Sequence, residues 1–87
     1  MKMIIAILKD DDTDAVLQAL TTGGLRVTRV ASTGGLFRKG RTTLLIGVED
    51  GQVEAVLEML RKSTTAAEEG GKRGTIFVVP VDRYEQL

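Results

Sequence analysis

Apolar residues fill the first segment of the chain without alternation: Met3-Ile4-Ile5-Ala6-Ile7-Leu8. A short, isoleucine-rich run of this kind predicts a central strand buried on both faces. Helices would cover one face. An apolar second face on an open two-layer sheet points to a partner subunit. Asp10-Asp11-Asp12 stops the strand and starts a helix, with Asp12 the expected N-cap and the carboxylates at the positive end of the helix dipole. Val16, Leu17 and Leu20 supply that helix with an apolar stripe, and Gly23-Gly24 ends it, one glycine taking the left-handed conformation.

The pattern then changes. Leu25 to Ala31 reads as a second strand, with Leu25 and Val27 on one side and Arg26, Thr28 and Val30 on the other. Ser32 to Lys39 is a loop around Gly34-Gly35, and Arg41 to Val48 is a third strand. Gly47 inside that strand predicts a bulge or a close approach by another group. Asp50 is the expected cap of a second helix, where Val53, Val56, Leu57 and Leu60 recur at helical spacing. Glu58 and Lys62 are expected to pair across one turn of it. Ser63 to Gly74 is a polar loop, Thr75 to Val81 the last strand, and Asp82 to Leu87 a tail. Pro80 places the last strand at an edge or near a strand end. The order β-α-β-β-α-β predicts an α+β, ferredoxin-like sandwich: a four-stranded antiparallel sheet with two helices on one face. Right-handed crossovers put the first and third strands in the middle and the second and fourth at the edges.

Eighty-seven residues make one domain, 1–87, with an aliphatic core and few aromatics. Small domains with thin cores often gain stability by oligomerising. The chain has no cysteine and no histidine, which removes disulfides, thiolate metal sites and the commonest general base. Ser or Thr would lack its usual activating base, so the reading is not an enzyme, with no cofactor and no metal. Asp10-Asp11-Asp12 could suggest a cation site, but no further ligands cluster nearby and capping is preferred. The apolar run at the start is too short to span a bilayer and lacks signal-peptide architecture, so a cytoplasmic location is expected. Twelve basic and twelve acidic residues balance to zero net charge, so no bulk attraction to nucleic acid is expected. Low aromatic content also argues against a base-stacking sheet.

Charge is nevertheless unevenly placed. Between Asp14 and Glu49 there is no carboxylate, while Arg26, Arg29, Arg38, Lys39 and Arg41 all fall there. Arg26 and Thr28 share one side of their strand. The Gly34-Gly35 turn can offer backbone N–H groups to an anion, and a guanidinium can grip a phosphate with two bonds. Gly70-Gly71-Lys72-Arg73-Gly74 is a second basic glycine-rich loop, without the full phosphate-loop spacing. Leu36 and Phe37 are large apolar residues in a loop of glycine and charge, which predicts burial against a ligand or another subunit. Phe77 is either core packing or the wall of a slot for a purine. A solvated, purely surface role for the basic stretch is the plain alternative.

MKMIIAILKDDD, LRVTRVASTGGLFRKGRTTLLIGVED and TIFVVPVDRYEQL, in this order, resemble the PII-like cyclic-di-AMP receptor family. The resemblance implies a PII-like homotrimer with nucleotide pockets between subunits, a signalling role and no catalysis. It implies that Arg26 and Thr28 meet phosphate and base edges, and that Gly35, Leu36, Phe37, Gly47, Phe77 and Gln86 complete the pocket. Family receptors carry Asn where this chain has Gly24 and Arg41, order the Leu36-Phe37 pair as Phe-Leu, and have a longer loop after the second helix. Arg41, Lys72 and Arg73 would suit a more highly charged nucleotide. The short glycine-rich loop is similar to that of nitrogen-regulatory PII proteins, where it holds ATP or ADP phosphates. The expectation is therefore a trimeric signalling protein that binds cyclic-di-AMP and switches loop conformation toward a downstream protein. ATP, ADP or another phosphate-bearing metabolite is the alternative ligand, and a trimeric interaction module without a small ligand is the alternative class.

Overall fold

The computed structural model describes residues 1–30, 40–65 and 72–87. Its elements are β1 (Lys2–Lys9), α1 (Asp10–Thr22), β2 (Arg26–Val30), β3 (Arg41–Val48), a 3-10 turn (Asp50–Gln52), α2 (Val53–Ser63) and β4 (Gly74–Pro80). The strands form one sheet in the order β2-β3-β1-β4, and every pairing is antiparallel. The expected α+β sandwich is present, with β1 and β3 central and β2 and β4 at the edges.

Strand parity divides the sheet into two unlike faces. Ile4, Ala6 and Leu8 of β1 and Leu44, Ile46 and Val48 of β3 are buried against Val16 and Leu20 of α1 and Val56 and Leu60 of α2. Burying these aliphatic side chains, at about 1.5–3 kcal/mol for each large one, is the main force holding the layers together. The alternate residues Met3, Ile5, Ile7, Thr43 and Leu45 lie on the other face and are only half-buried, because neither described helix covers it.

Both helix starts differ from expectation. α1 begins at Asp10 after Lys9, and no side chain caps it. Asp12 is not a cap but is buried, 3% exposed, and accepts hydrogen bonds from the Thr65 N–H at 3.2 Å and the Thr65 hydroxyl at 3.3 Å. Asp10 accepts from the buried Thr42 hydroxyl. These contacts fix the N-terminus of α1 to the start of β3 and to the segment leaving α2. Asp10 and Asp12 find tertiary donors within the first helical turn, and all three carboxylates favour the positive end of the dipole.

α2 has no side-chain cap of its own, and the 3-10 turn that leads into it is capped by Glu49 rather than begun by an Asp50 cap. The Glu49 carboxylate accepts from the Gln52 N–H, and the Gln52 amide oxygen accepts from the Glu49 N–H at 2.9 Å. Asp50 instead pairs with the Met1 ammonium at 3.1 Å. That ammonium, with Lys2 adding a smaller effect, lowers the Asp50 pKa below its ordinary 3.8. Glu58 pairs with Arg61 at 3.1 Å rather than with Lys62. At the end of α1, Gly23 and Gly24 return N–H bonds to Ala19 and Thr21, and Gly24 takes φ +80°, the left-handed conformation expected of one glycine.

Candidate functional site

The uncovered sheet face gathers several of the residues singled out in the sequence. Reading across the strands, one row runs Arg26, Gly47, Met3, Val79. The next runs Thr28, Leu45, Ile5, Phe77, and the third Val30, Thr43, Ile7, Thr75. Arg26, Thr28, Gly47 and Phe77 therefore share one face, and Arg26, Thr28 and Phe77 are exposed on it. Phe77 is 52% exposed, so it is not a core residue of this chain.

Gly47 lies opposite Arg26 in an unbroken ladder, so the bulge is absent. Its φ is not positive, and a Cβ built there would meet only Met1 Cε at 3.6 Å. The backbone does not require glycine. What glycine provides is bare backbone beside a guanidinium, a place where a ligand can approach closely.

The face does not collect all these residues into one cleft. Thr28 and Phe77 stand at opposite edges, three strand spacings or about 14 Å apart. Arg41 lies six residues along β3 from Gly47, about 20 Å away, at the other end of the strand. Gly35, Leu36 and Phe37 lie outside the described residues. Arg29 leaves the group: it sits on the helix side of β2 and reaches Asp14 of α1 at 3.8 Å.

The tail contributes a residue that the strand pattern did not single out. After β4 the Val81 N–H donates to the Met1 carbonyl at 3.1 Å, and the chain then crosses the end of the sheet. Arg26 Nη1 donates to the Tyr84 hydroxyl oxygen at 3.1 Å, linking residues 58 positions apart. Gln86 follows two residues later, within about 7 Å of chain. The tail thus starts at the β4 edge and arrives at the Arg26 edge. Among the described residues Arg26 meets no carboxylate, so its charge remains available. The signal for Tyr84 was its type: the chain's only tyrosine, in a polar tail.

A separate groove of about 300 Å³ lies on the helix side between α2 and β4, over Leu57, Leu60, Ile76 and Val78, with Arg61 and Arg73 among its walls. It shares no residue with the open face. Among the described residues no group of three acidic side chains is placed to hold a metal ion, and no helix is long and apolar enough to cross a membrane.

A two-layer sandwich whose second sheet face no described element covers defines the class: a small α+β, ferredoxin-like domain. The chain belongs to the cyclic-di-AMP receptor family, whose model matches residues 1–69. It is similar in structure to a functionally unknown protein from Pediococcus pentosaceus ATCC 25745, at 29% identity and TM-score 0.77, over 99% of this chain and 96% of that one. Family membership supports a PII-like, nucleotide-binding signalling role.

Proposed function

We propose that this chain is a homotrimeric signalling protein that binds cyclic-di-AMP in clefts between subunits, changing loop conformation and thereby engaging a downstream protein. One observation carries the reading. Arg26, Thr28, Gly47 and Phe77 share the bare sheet face, yet Phe77 stands at the edge opposite Arg26. A pocket with both a phosphate grip and an aromatic wall then needs two copies, the Arg26 edge of one meeting the Phe77 edge of the next. The half-buried aliphatic stripe of Met3, Ile5, Ile7 and Leu45 would lose its water in the same assembly. In this reading Arg26 holds phosphate, Thr28 reads a base edge, Gly47 admits the ligand to the backbone, and Phe77 stacks on a purine. Gly35, Leu36, Phe37 and Gln86 close the remaining sides, and Arg41 extends the charge. No catalytic group is assigned.

ATP or ADP on the same scaffold is favoured by one specific feature, the basic Arg41 at the start of β3 together with Lys72 and Arg73 before β4. Titration calorimetry with cyclic-di-AMP, ATP and ADP separates these. Arg26→Ala should weaken the bound nucleotide by about 1.5–3 kcal/mol, the usual worth of a hydrogen bond to a charged group. Unchanged affinity would remove Arg26 from the site. A panel without any binding would leave the trimeric interaction module, and a monomer mass in sedimentation would overturn the inter-subunit pocket.

A further inference from the structure

The contact between Arg26 and Tyr84 joins the phosphate grip to the C-terminal tail. Pro80 pairs with Lys2 at the β4 edge, whereas Arg26 pairs with Gly47 at the β2 edge. The strands that end at Pro80 and begin at Arg26 stand three spacings or about 14 Å apart. The tail turns at Asp82, and the long side chains of Arg26 and Tyr84 together close the remaining distance between these edges.

The chemistry of the anchor matters as much as its place. Arg26 is an exposed residue on an edge strand, and a free arginine there would sample many rotamers. A guanidinium carries five N–H donors in a planar fork, and a phosphate uses two of them. Tyr84 accepts from Nη1, and among the described residues the edge formed by Nε and Nη2 meets no other partner. A phenol oxygen is neutral, so it restrains the guanidinium without cancelling the charge that attracts an anion. A carboxylate in the same position would do both. A tyrosine also has few rotatable bonds to order, so the restraint is cheap in entropy.

We propose that Tyr84 is a positioning residue for the phosphate site: it holds Arg26 over the bare backbone of Gly47 with one edge of the fork presented to the ligand. This rests on the nucleotide reading given above, and it makes the tail a component of the site rather than a loose end. The same anchor places Gln86 at the Arg26 end of the face.

Tyr84→Phe keeps the ring and removes only the hydroxyl. With cyclic-di-AMP as probe, and ATP in parallel, calorimetry should show binding weakened about two- to tenfold, the usual net worth of one hydrogen bond. The melting temperature of the unliganded protein should stay unchanged, since both partners are exposed. In an Arg26→Ala background the same substitution should have no further effect. An equal loss in that background, or unaltered affinity of Tyr84→Phe alone, overturns the proposal. Tighter binding by Tyr84→Phe also overturns it, because the tail would then compete with the ligand. The anchor can also be read without any ligand. Tyr84 is the sole tyrosine of a chain without tryptophan, so tyrosine fluorescence anisotropy reports on the tail alone. Arg26→Ala should lower that anisotropy at fixed protein concentration, and an unchanged value refutes the anchor. If wild type binds neither nucleotide, the nucleotide reading itself fails and the positioning role falls with it. A wild type that binds, beside an unaffected Tyr84→Phe, sinks only the role of Tyr84.

Discussion

Replacing Asp12 by alanine tests the part of the structure that departs furthest from the sequence pattern. The carboxylate is 3% exposed and accepts from the Thr65 N–H at 3.2 Å and the Thr65 hydroxyl at 3.3 Å. Hydrogen bonds to a charged group contribute about 1.5–3 kcal/mol each at good geometry. Both distances are long, so each belongs at or below the low end of that range. Removing the side chain also removes the cost of burying a carboxylate, which offsets part of the loss. The net expectation is a destabilisation of about 2 kcal/mol. For a domain of this size that lowers the melting temperature by about 8–16 °C. Circular dichroism at fixed protein concentration measures it, so that any self-association contributes equally to each variant. Asp11→Ala is the control. Asp11 is exposed in the same helical turn and has the same charge, so its loss should cost no more than about 0.5 kcal/mol through the helix dipole. Thr65→Val should cost less than Asp12→Ala, since the backbone donor survives. If Asp12→Ala and Asp11→Ala are equally mild, Asp12 does not anchor the segment leaving α2.

Other substitutions probe the backbone and the termini. Gly24 has φ +80°, and the space a Cβ would take there is open, so Gly24→Ala should cost about 1–2 kcal/mol by denaturant titration, from backbone strain alone. Gly24→Asn should cost less, because asparagine tolerates that conformation; equal costs would show that strain is not the cause. A Cβ on Gly74 would stand 2.8 Å from both the Ile7 carbonyl oxygen and Leu8 Cδ2, so Gly74→Ala should destabilise by about 1–3 kcal/mol. A neutral result would mean that β4 can shift away from β1 freely. The Met1 ammonium lowers the Asp50 pKa below 3.8, so this carboxylate adds stability that is present above that value and lost as pH falls through the lowered one. The melting-temperature difference between wild type and Asp50→Asn should shrink on going from pH 7 to pH 3; a constant difference excludes the ion pair as its source.

Gly24 also bears on how this chain departs from the receptors it resembles. The resemblance leads one to expect asparagine at the position, and glycine and asparagine are the two residues that most readily adopt the left-handed backbone seen here. Arg41 is a different kind of departure, since it sits at the far end of β3 from Gly47 and adds charge there rather than beside Arg26.

Element order, strand parity and the exit from α1 were set by local pattern, and local pattern is what a sequence displays. The apolar run of β1 predicted a central strand, and the alternation in β2 put Arg26 and Thr28 on the side opposite Val27. Crossover handedness then ordered the strands. Pattern alone could not determine which polar group meets which, because that depends on pairs distant along the chain. Asp12 meets Thr65 across 53 residues, and Arg26 meets Tyr84 across 58. A buried carboxylate and an N-cap have the same residue type at the same helix terminus, so only tertiary packing separates them. The placement of Phe77 at the edge away from Arg26 follows from strand order and was already set by crossover handedness. The sequence determined the sandwich and the edge positions of Arg26 and Phe77; the tertiary structure decided which distant polar groups meet, because those contacts join residues far apart along the chain.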